Sequence, residues 1–391
     1  MSRFALGVNY WPASSAMRMW QRFDATEIEE DFRRCAGAGC DTVRIFLLWE
    51  DFQPQPSSVA ESALTKLRDV ADRAARAGVG LIPTLFTGHM SGVNWYPAWA
   101  LGDEPAGRFR TLSAGSIVDR VTRDWAERPV LEAQALLARE AGRTLAGHPA
   151  LRMWDLGNEN SNCWIPRTRE DGRRWLAAMA GAIRAVDPTT PITMGLHAED
   201  LEEDRRIGPA EAAEVCDVLS MHGYPMYLRW AAAKDDHRAL PFLASVTRWL
   251  GKGKDVLFEE FGAPTRDARD PDAARVADML LEEADAARYT AQAIDGLAAA
   301  GCTGALLWCY TDYPRSIWRE PPLDAAIHER HFGLWRADGG PKPVVAELVR
   351  RRETQRSPAP TTAWIDLPRA DFFDRPLANL VRLYDAYRTH A

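Results

Sequence analysis

The chain has 391 residues, 46% of them hydrophobic and 26% charged, and a formal net charge of −7. That length suits one large domain or two ordinary ones, with ample residues for a buried core. An acidic chain without Lys/Arg runs offers no electrostatic case for nucleic acid or an anionic membrane, and no apolar run reaches the length of a membrane span.

The N-terminus, MSRFALGVNYWP, enters a strand pattern at once. No basic segment followed by a long apolar stretch precedes it, so no signal peptide is expected and the expected location is cytoplasmic. Strand candidates then follow at 5–9, 42–49, 80–86, 151–156, 192–196, 218–221, 256–261 and 304–308. Between them lie amphipathic helical patterns at about 25–38, 61–77, 129–146, 168–186, 239–250 and 281–300, with shorter ones at 209–214 and 343–354. Asp24 with Glu27, and Thr168 with Glu170, mark helix starts. Gly78, Gly147, Asp187-Pro188, Gly251 and Gly301 mark helix ends. The six cysteines are scattered without a C-x-x-C pair and read as reduced, mostly buried thiols.

Eight short apolar strands alternating with helices point to parallel βα units, and the simplest closure at this length is a (β/α)8 TIM barrel with long βα loops. An open doubly wound sheet would favour a glycine-rich phosphate loop after the first strand. Here that strand runs into Asn9-Tyr10-Trp11-Pro12 instead. The expected organisation is a (β/α)8 barrel over 1–354. A Thr/Ser/Pro-rich linker then leads, within 355–391, to a C-terminal helix near 376–388 that packs on the barrel.

In such a barrel the site is built where the strands end. The first strand ends on Asn9-Tyr10-Trp11. The second carries Arg44 inside an apolar run and then Trp49-Glu50, and the third leads to His89. The fourth ends on Asn158-Glu159, the sixth on His222-Gly223-Tyr224, the seventh on Glu259-Glu260-Phe261-Gly262 and the eighth on Trp308-Cys309-Tyr310. One polar strand end would be noise, but this many on one rim is a site. Glu159 and Glu260 would face each other across the barrel mouth, and two facing carboxylates can cleave a glycosidic bond. The eight histidines form no H-x-H or H-E-x-x-H pattern, so neither a metal nor an organic cofactor is expected.

The pieces VRIFLLWEDFQP, WDLGNEN, MHGYP, LFEEFGAP, ALLWCYTDY and FGLWRADGGPKP together resemble glycoside hydrolase family 5, in clan A. The resemblance implies that Glu159 is the acid/base and Glu260 the nucleophile of a retaining reaction. It implies that Asn158 binds the 2-hydroxyl of the sugar in the −1 subsite, that Arg44 and Tyr224 hydrogen-bond the nucleophile, that His222 lines the site and that Trp308 forms its floor. His89 matches less closely, because the loop around it is unusual. Successive strand side chains point to opposite faces, so Glu260 is expected to face the site and Glu259 to be structural or a supporting partner. Tyr10, Trp11, Trp49, Trp95, Trp99, Tyr310 and Asp312 either line sugar subsites or pack loops.

Two long loops, about 87–128 and 309–342, sit over the rim and could leave a pocket at one end of the cleft. A pocket clips a terminal sugar, which favours exo action on a short oligosaccharide. The opening GVNYWPASSAMRMWQRFDATEI with VRIFLLWEDFQP is most similar to the intracellular bacterial β-mannosidase-type members. An endo-acting β-mannanase or β-glucanase, and a barrel that binds sugar without cutting it, are the alternatives.

Overall fold

The computed structural model describes residues 3–390. Eight parallel strands form one sheet: β1 (Ala5–Asn9), β2 (Thr42–Leu48), β3 (Gly80–Thr87), β4 (Trp154–Asn158), β5 (Ile192–Gly195), β6 (Leu219–His222), β7 (Val256–Phe261) and β8 (Gly304–Leu307). Their order is β6-β7-β8-β1-β2-β3-β4-β5. A parallel bridge between His197 and His222 joins the two ends. The result is a (β/α)8 barrel, as the alternation of elements implies.

Every residue of β2 and β3 is buried. One face fills the barrel and the other lies under helices, which is why these strands read as continuous apolar runs rather than as alternating ones. Among the outer helices, Ala25–Gly37 starts where the Asp24 carboxylate accepts the Thr26 and Glu27 N–H groups, satisfying donors that have no partner inside the helix. Glu61–Ala77 stops at Gly78, whose φ of +78° favours glycine. The fourth strand lies further along the chain than its apolar run suggests. Leu151 makes only an isolated bridge to Leu81, and the ladder with β5 begins at Trp154.

The long loop after β3 carries a small sheet of its own, from His89–Met90, Val93–Trp95, Arg110–Ser113 and Ser116–Val118. At the opposite end of the barrel, the segment after Arg351 crosses below the strands. There Arg356 pairs with Asp255, and the Ser357 N–H donates to Ala298 O. The final helix, Pro376–His390, sets Tyr384 against Phe242 and Trp230, with the Tyr384 hydroxyl donating to Asp236 at 2.6 Å. No helix among the described residues is long and apolar enough to cross a membrane.

Candidate active site

Arg44 is the hub at the upper end of the barrel, and it is fully buried. Its Nε donates to Thr84 Oγ1 (2.9 Å) and Asp155 Oδ2 (3.1 Å). Its Nη1 donates to Asn9 Oδ1 (3.1 Å) and Glu260 Oε1 (2.5 Å), and its Nη2 to Asp155 Oδ2 (2.7 Å) and Asn158 Oδ1 (2.9 Å). Asn9 is itself fixed by donating to Glu259 O and Leu307 O. A guanidinium without water around it must find its partners in the protein, and here five neighbouring side chains supply them. Burial disfavours the Arg44 charge, but Glu259, Asp155 and Glu260 outweigh it and raise its pKa.

Glu159 follows the last residue of β4. Two features turn the chain so that its side chain enters the mouth. Gly157 has a φ of +149°, and a Cβ there would lie 2.2 Å from Asn160 Oδ1. Glu159 itself is left-handed, at φ 47° and ψ 47°. Its Oε1 lies 3.1 Å from His222 Nδ1, and its Oε2 accepts from Asn162 Nδ2 at 3.0 Å. His89 Nε2 and His197 Nδ1 each stand 3.9 Å from Oε2.

Glu260 accepts from Arg44 on one oxygen and from the Tyr224 hydroxyl on the other, at 2.8 Å. Strict alternation would turn Glu259 to the outside of the barrel. Instead, the register slips between Phe258 and Phe261 against β8, and again where His222 pairs with Glu260. This bulge brings both glutamates inward. Glu259 is wholly buried, with Oε1 3.4 Å from Arg44 Nε and Oε2 3.7 Å from His222 Nε2, and neither oxygen makes a hydrogen bond. It lies behind the mouth, as a charge partner of the two cations.

His222 sits among Glu159, Glu259 and Glu260. Burial pushes its pKa down, but Glu260 and the contacts to Glu159 and Glu259 pull it up to about 10, so it is an imidazolium at neutral pH. For Glu159, burial favours the protonated form. His197 and His222 oppose it more strongly, so the resting carboxyl is held below its usual range. His89 is lowered, chiefly by burial, and stays neutral. Its Nδ1 is 2.7 Å from Asn94 Oδ1, and its backbone oxygen accepts from Asn158 Nδ2.

The ligand-type atoms of Glu159, His222 and Glu260 lie within 4.8 Å of one another. Three such groups could in principle hold a cation. Here both Glu260 oxygens are already committed to Arg44 and Tyr224, and His222 carries a positive charge. The arrangement is one of two close carboxylates under separate control, one ion-paired and one ringed by imidazoles.

The structure gathers Arg44, His89, Asn158, Glu159, His222, Tyr224 and Glu260 within one hydrogen-bonded cluster. Trp308, just past β8, stands outside that network and donates its indole N–H to Glu329 Oε2 at 3.0 Å. The other aromatic residues of the rim divide differently. Trp11, Trp49 and Trp95 are fully buried, and Trp49 packs edge-on to Phe86, Tyr96, Trp99 and Trp125. The hydroxyls of Tyr10 and Tyr310 both donate to Asp31. Asp312 is paired with Lys342 at 2.7 Å. These residues pack loops. Sequence reading passed over Asn162, His197 and Glu329. His197 could have been found, because it lies directly beyond the fifth apolar run, the one strand end from which no polar residue was taken.

No protein-family model matches the chain. A chain of Oryza sativa subsp. japonica, assigned by name to the mannan endo-1,4-beta-mannosidases, is 25% identical over 337 residues, covering 76% of this chain and 64% of the relative. The exo-beta-1,4-mannosidase Op5Man5 from Opitutaceae bacterium strain TAV5 is 28% identical, with a TM-score of 0.73 over 90% of this chain and 60% of that one. The chain is thus similar in sequence to proteins named as β-mannosidases. It spans less than two thirds of the length of either relative. A second solved structure, named as a glycoside hydrolase family 5 protein, shares the fold. It is a GH5_18 protein from Streptomyces cattleya in complex with Manb1-4GlcNAc, 22% identical, with a TM-score of 0.77 over 100% of this chain and 91% of that one.

Proposed function

We propose that the protein is a retaining β-glycoside hydrolase that removes terminal β-mannose from short oligosaccharides. The observation that carries this reading is the approach of a Glu159 oxygen to a Glu260 oxygen within 4.8 Å. Carboxyl groups about 5–5.5 Å apart suit double displacement, whereas a gap of roughly 6.5–9.5 Å would admit the water of an inverting reaction. Glu260 attacks the anomeric carbon while Glu159 gives its proton to the departing oxygen, leaving a glycosyl ester on Glu260. Glu159 then takes a proton from water as that water attacks the same carbon, which frees the sugar and restores both carboxyls. His222 faces Oε1 of Glu159, which leaves Oε2 to carry the proton. A sugar that displaces water from the pocket adds to the burial that favours protonated Glu159.

Exo action is supported by the way the two long loops meet. Ser91 Oγ donates to Glu329 Oε2 at 3.0 Å, and Arg110 pairs with Asp324 through two bonds of 2.8 and 2.7 Å. Mannose is supported by the mannosidase name of Op5Man5 and by the mannosyl disaccharide in the Streptomyces structure. Short substrates accord with the cytoplasmic location that forms part of this proposal.

The test is hydrolysis of a panel of 4-nitrophenyl β-glycosides, with Glu260→Ala as control and proton NMR of the first sugar released. Release from the β-mannoside, with β-mannose as the first product and loss in the control, is the expected result. α-Mannose as first product would overturn retention. Mannan cut faster than any aryl mannoside would replace exo with endo action. Mannose binding without turnover of any substrate would favour the sugar-binding reading.

A further inference from the structure

We propose that Glu329 is a specificity-determining residue whose free carboxylate oxygen binds a hydroxyl of the terminal sugar on the side away from the bond being cut. The inference rests on the glycosidase reading of the site above.

Glu329 lies on the turn Ile327–His331, in the loop after β8. Its Oε2 accepts from both Trp308 Nε1 and Ser91 Oγ, at 3.0 Å each. The indole N–H points outward in the plane of its ring, so the carboxylate stands at the edge of Trp308 and not over its face. A sugar resting on that face presents its ring hydroxyls toward the edge. Oε1 makes no hydrogen bond to the described residues, and its nearest cationic-type neighbour is His328 Nε2 at 3.6 Å.

A loop clamp alone has no use for this charge. The bonds to Ser91 and Trp308 need only one acceptor oxygen, which an amide would supply. A carboxylate is costly here because it is buried and close to Glu159 and Glu260. Burial, first of all, pushes its pKa up to about 7. Ionised above about pH 7, and with one oxygen uncommitted, Glu329 fits a role in accepting hydroxyl donors. The other groups of the site are already assigned within the proposed reaction. Glu260 meets the anomeric carbon, Glu159 the leaving oxygen and Asn158 the 2-hydroxyl. The 3-, 4- and 6-hydroxyls are left, and Glu329 is the acceptor available to them at the edge of the platform.

The experiment compares the full-length wild type with Glu329→Ala and Glu329→Gln on 4-nitrophenyl β-mannoside and on its 3-, 4- and 6-deoxy analogues. Loss of a hydrogen bond to a charged group lowers kcat/KM by roughly 10- to 100-fold. In the wild type, one deoxy analogue should suffer that loss. In Glu329→Ala the parent substrate should fall by a similar factor, and the same analogue should then lose little more. Glu329→Gln should lie between, and it carries the comparison if the alanine variant does not fold, as judged by Tm. Deoxy penalties of equal size in wild type and variant would overturn the proposal while leaving the hydrolase reading intact. So would an unchanged kcat/KM in Glu329→Ala. A wild type inert toward every β-glycoside would remove the hydrolase reading and the role of Glu329 with it.

Discussion

Replacing Arg44 by Met tests the idea that one guanidinium holds the site together. Methionine keeps much of the stem and removes the charge. In the wild type, Asp155, Glu159, Glu259 and Glu260 share Arg44 and the His222 imidazolium as their cations. Without Arg44 they share His222 alone. Removing one partner of a buried ion pair costs roughly 3–5 kcal/mol, a large part of a typical stability of about 5–15 kcal/mol. Unfolding entropy near 2.1 cal/mol/K per residue gives about 0.8 kcal/mol/K for a chain of this length, so Tm should fall by about 4–6 °C. The pH dependence has a definite sign. Burial already raises Asp155 to about 6 against the pull of Arg44, and in the variant it must rise further. A carboxyl raised in the folded state binds protons more readily there than in the unfolded chain, so acid stabilises the fold. The deficit should therefore be widest near pH 8 and narrow toward pH 5. Calorimetry at one scan rate across that range reads both effects. An unchanged Tm at pH 7, or a deficit that grows on acidification, would refute the argument.

Glu159→Ala should slow β-mannosides with alkyl aglycones by roughly 10²- to 10⁴-fold, while cleavage of the dinitrophenyl β-mannoside bond, whose leaving group needs no proton, stays near wild type in a pre-steady-state burst. Equal loss on both substrates would remove Glu159 from the acid role. Asp31 lies outside the site, between the hydroxyls of Tyr10 and Tyr310, and burial raises it to about 6 even though both hydroxyls oppose the shift. Its contribution to stability is fullest below about pH 4 and is lost as pH climbs to about 6. Asp31→Asn should therefore gain on the wild type by roughly 2 kcal/mol between pH 4.5 and 7.5, and parallel Tm curves over that range would contradict it.

Much of the candidate site was legible because polar residues stand where a strand should have stayed apolar. Asn158-Glu159 and Glu259-Glu260 stand out against Trp154–Leu156 and Val256–Phe258 for that reason. What escaped reading arises from departures from regular geometry. Alternation assigns Glu259 to the outer face, and a bulge, which leaves no mark in composition, turns it inward beside Arg44. Trp11 and Trp49 follow strand ends as a sugar platform would, yet loop packing buries them. Glu329 sits 21 residues after Trp308, and no local pattern announces that a turn folds it back onto that indole. Helix limits were read within a few residues, since caps such as Asp24 and Gly78 act locally.

The barrel also has a seam. Between β5 and β6 the ladder is thin. Ser220 Oγ spans part of it, donating to Met194 O and accepting from Leu196 N–H, and backbone bonds such as His222 N–H to Leu196 O complete the join. The seam runs between His197 and His222, which stand on either side of Glu159. Amide exchange starts where fewest ladder bonds must open, so the sheet is expected to breathe first at this joint, beside Glu159, the proposed proton donor. Each small parting of that joint would shift one imidazole relative to the other, and the charge felt by Glu159 would fluctuate with the opening and closing of the barrel wall.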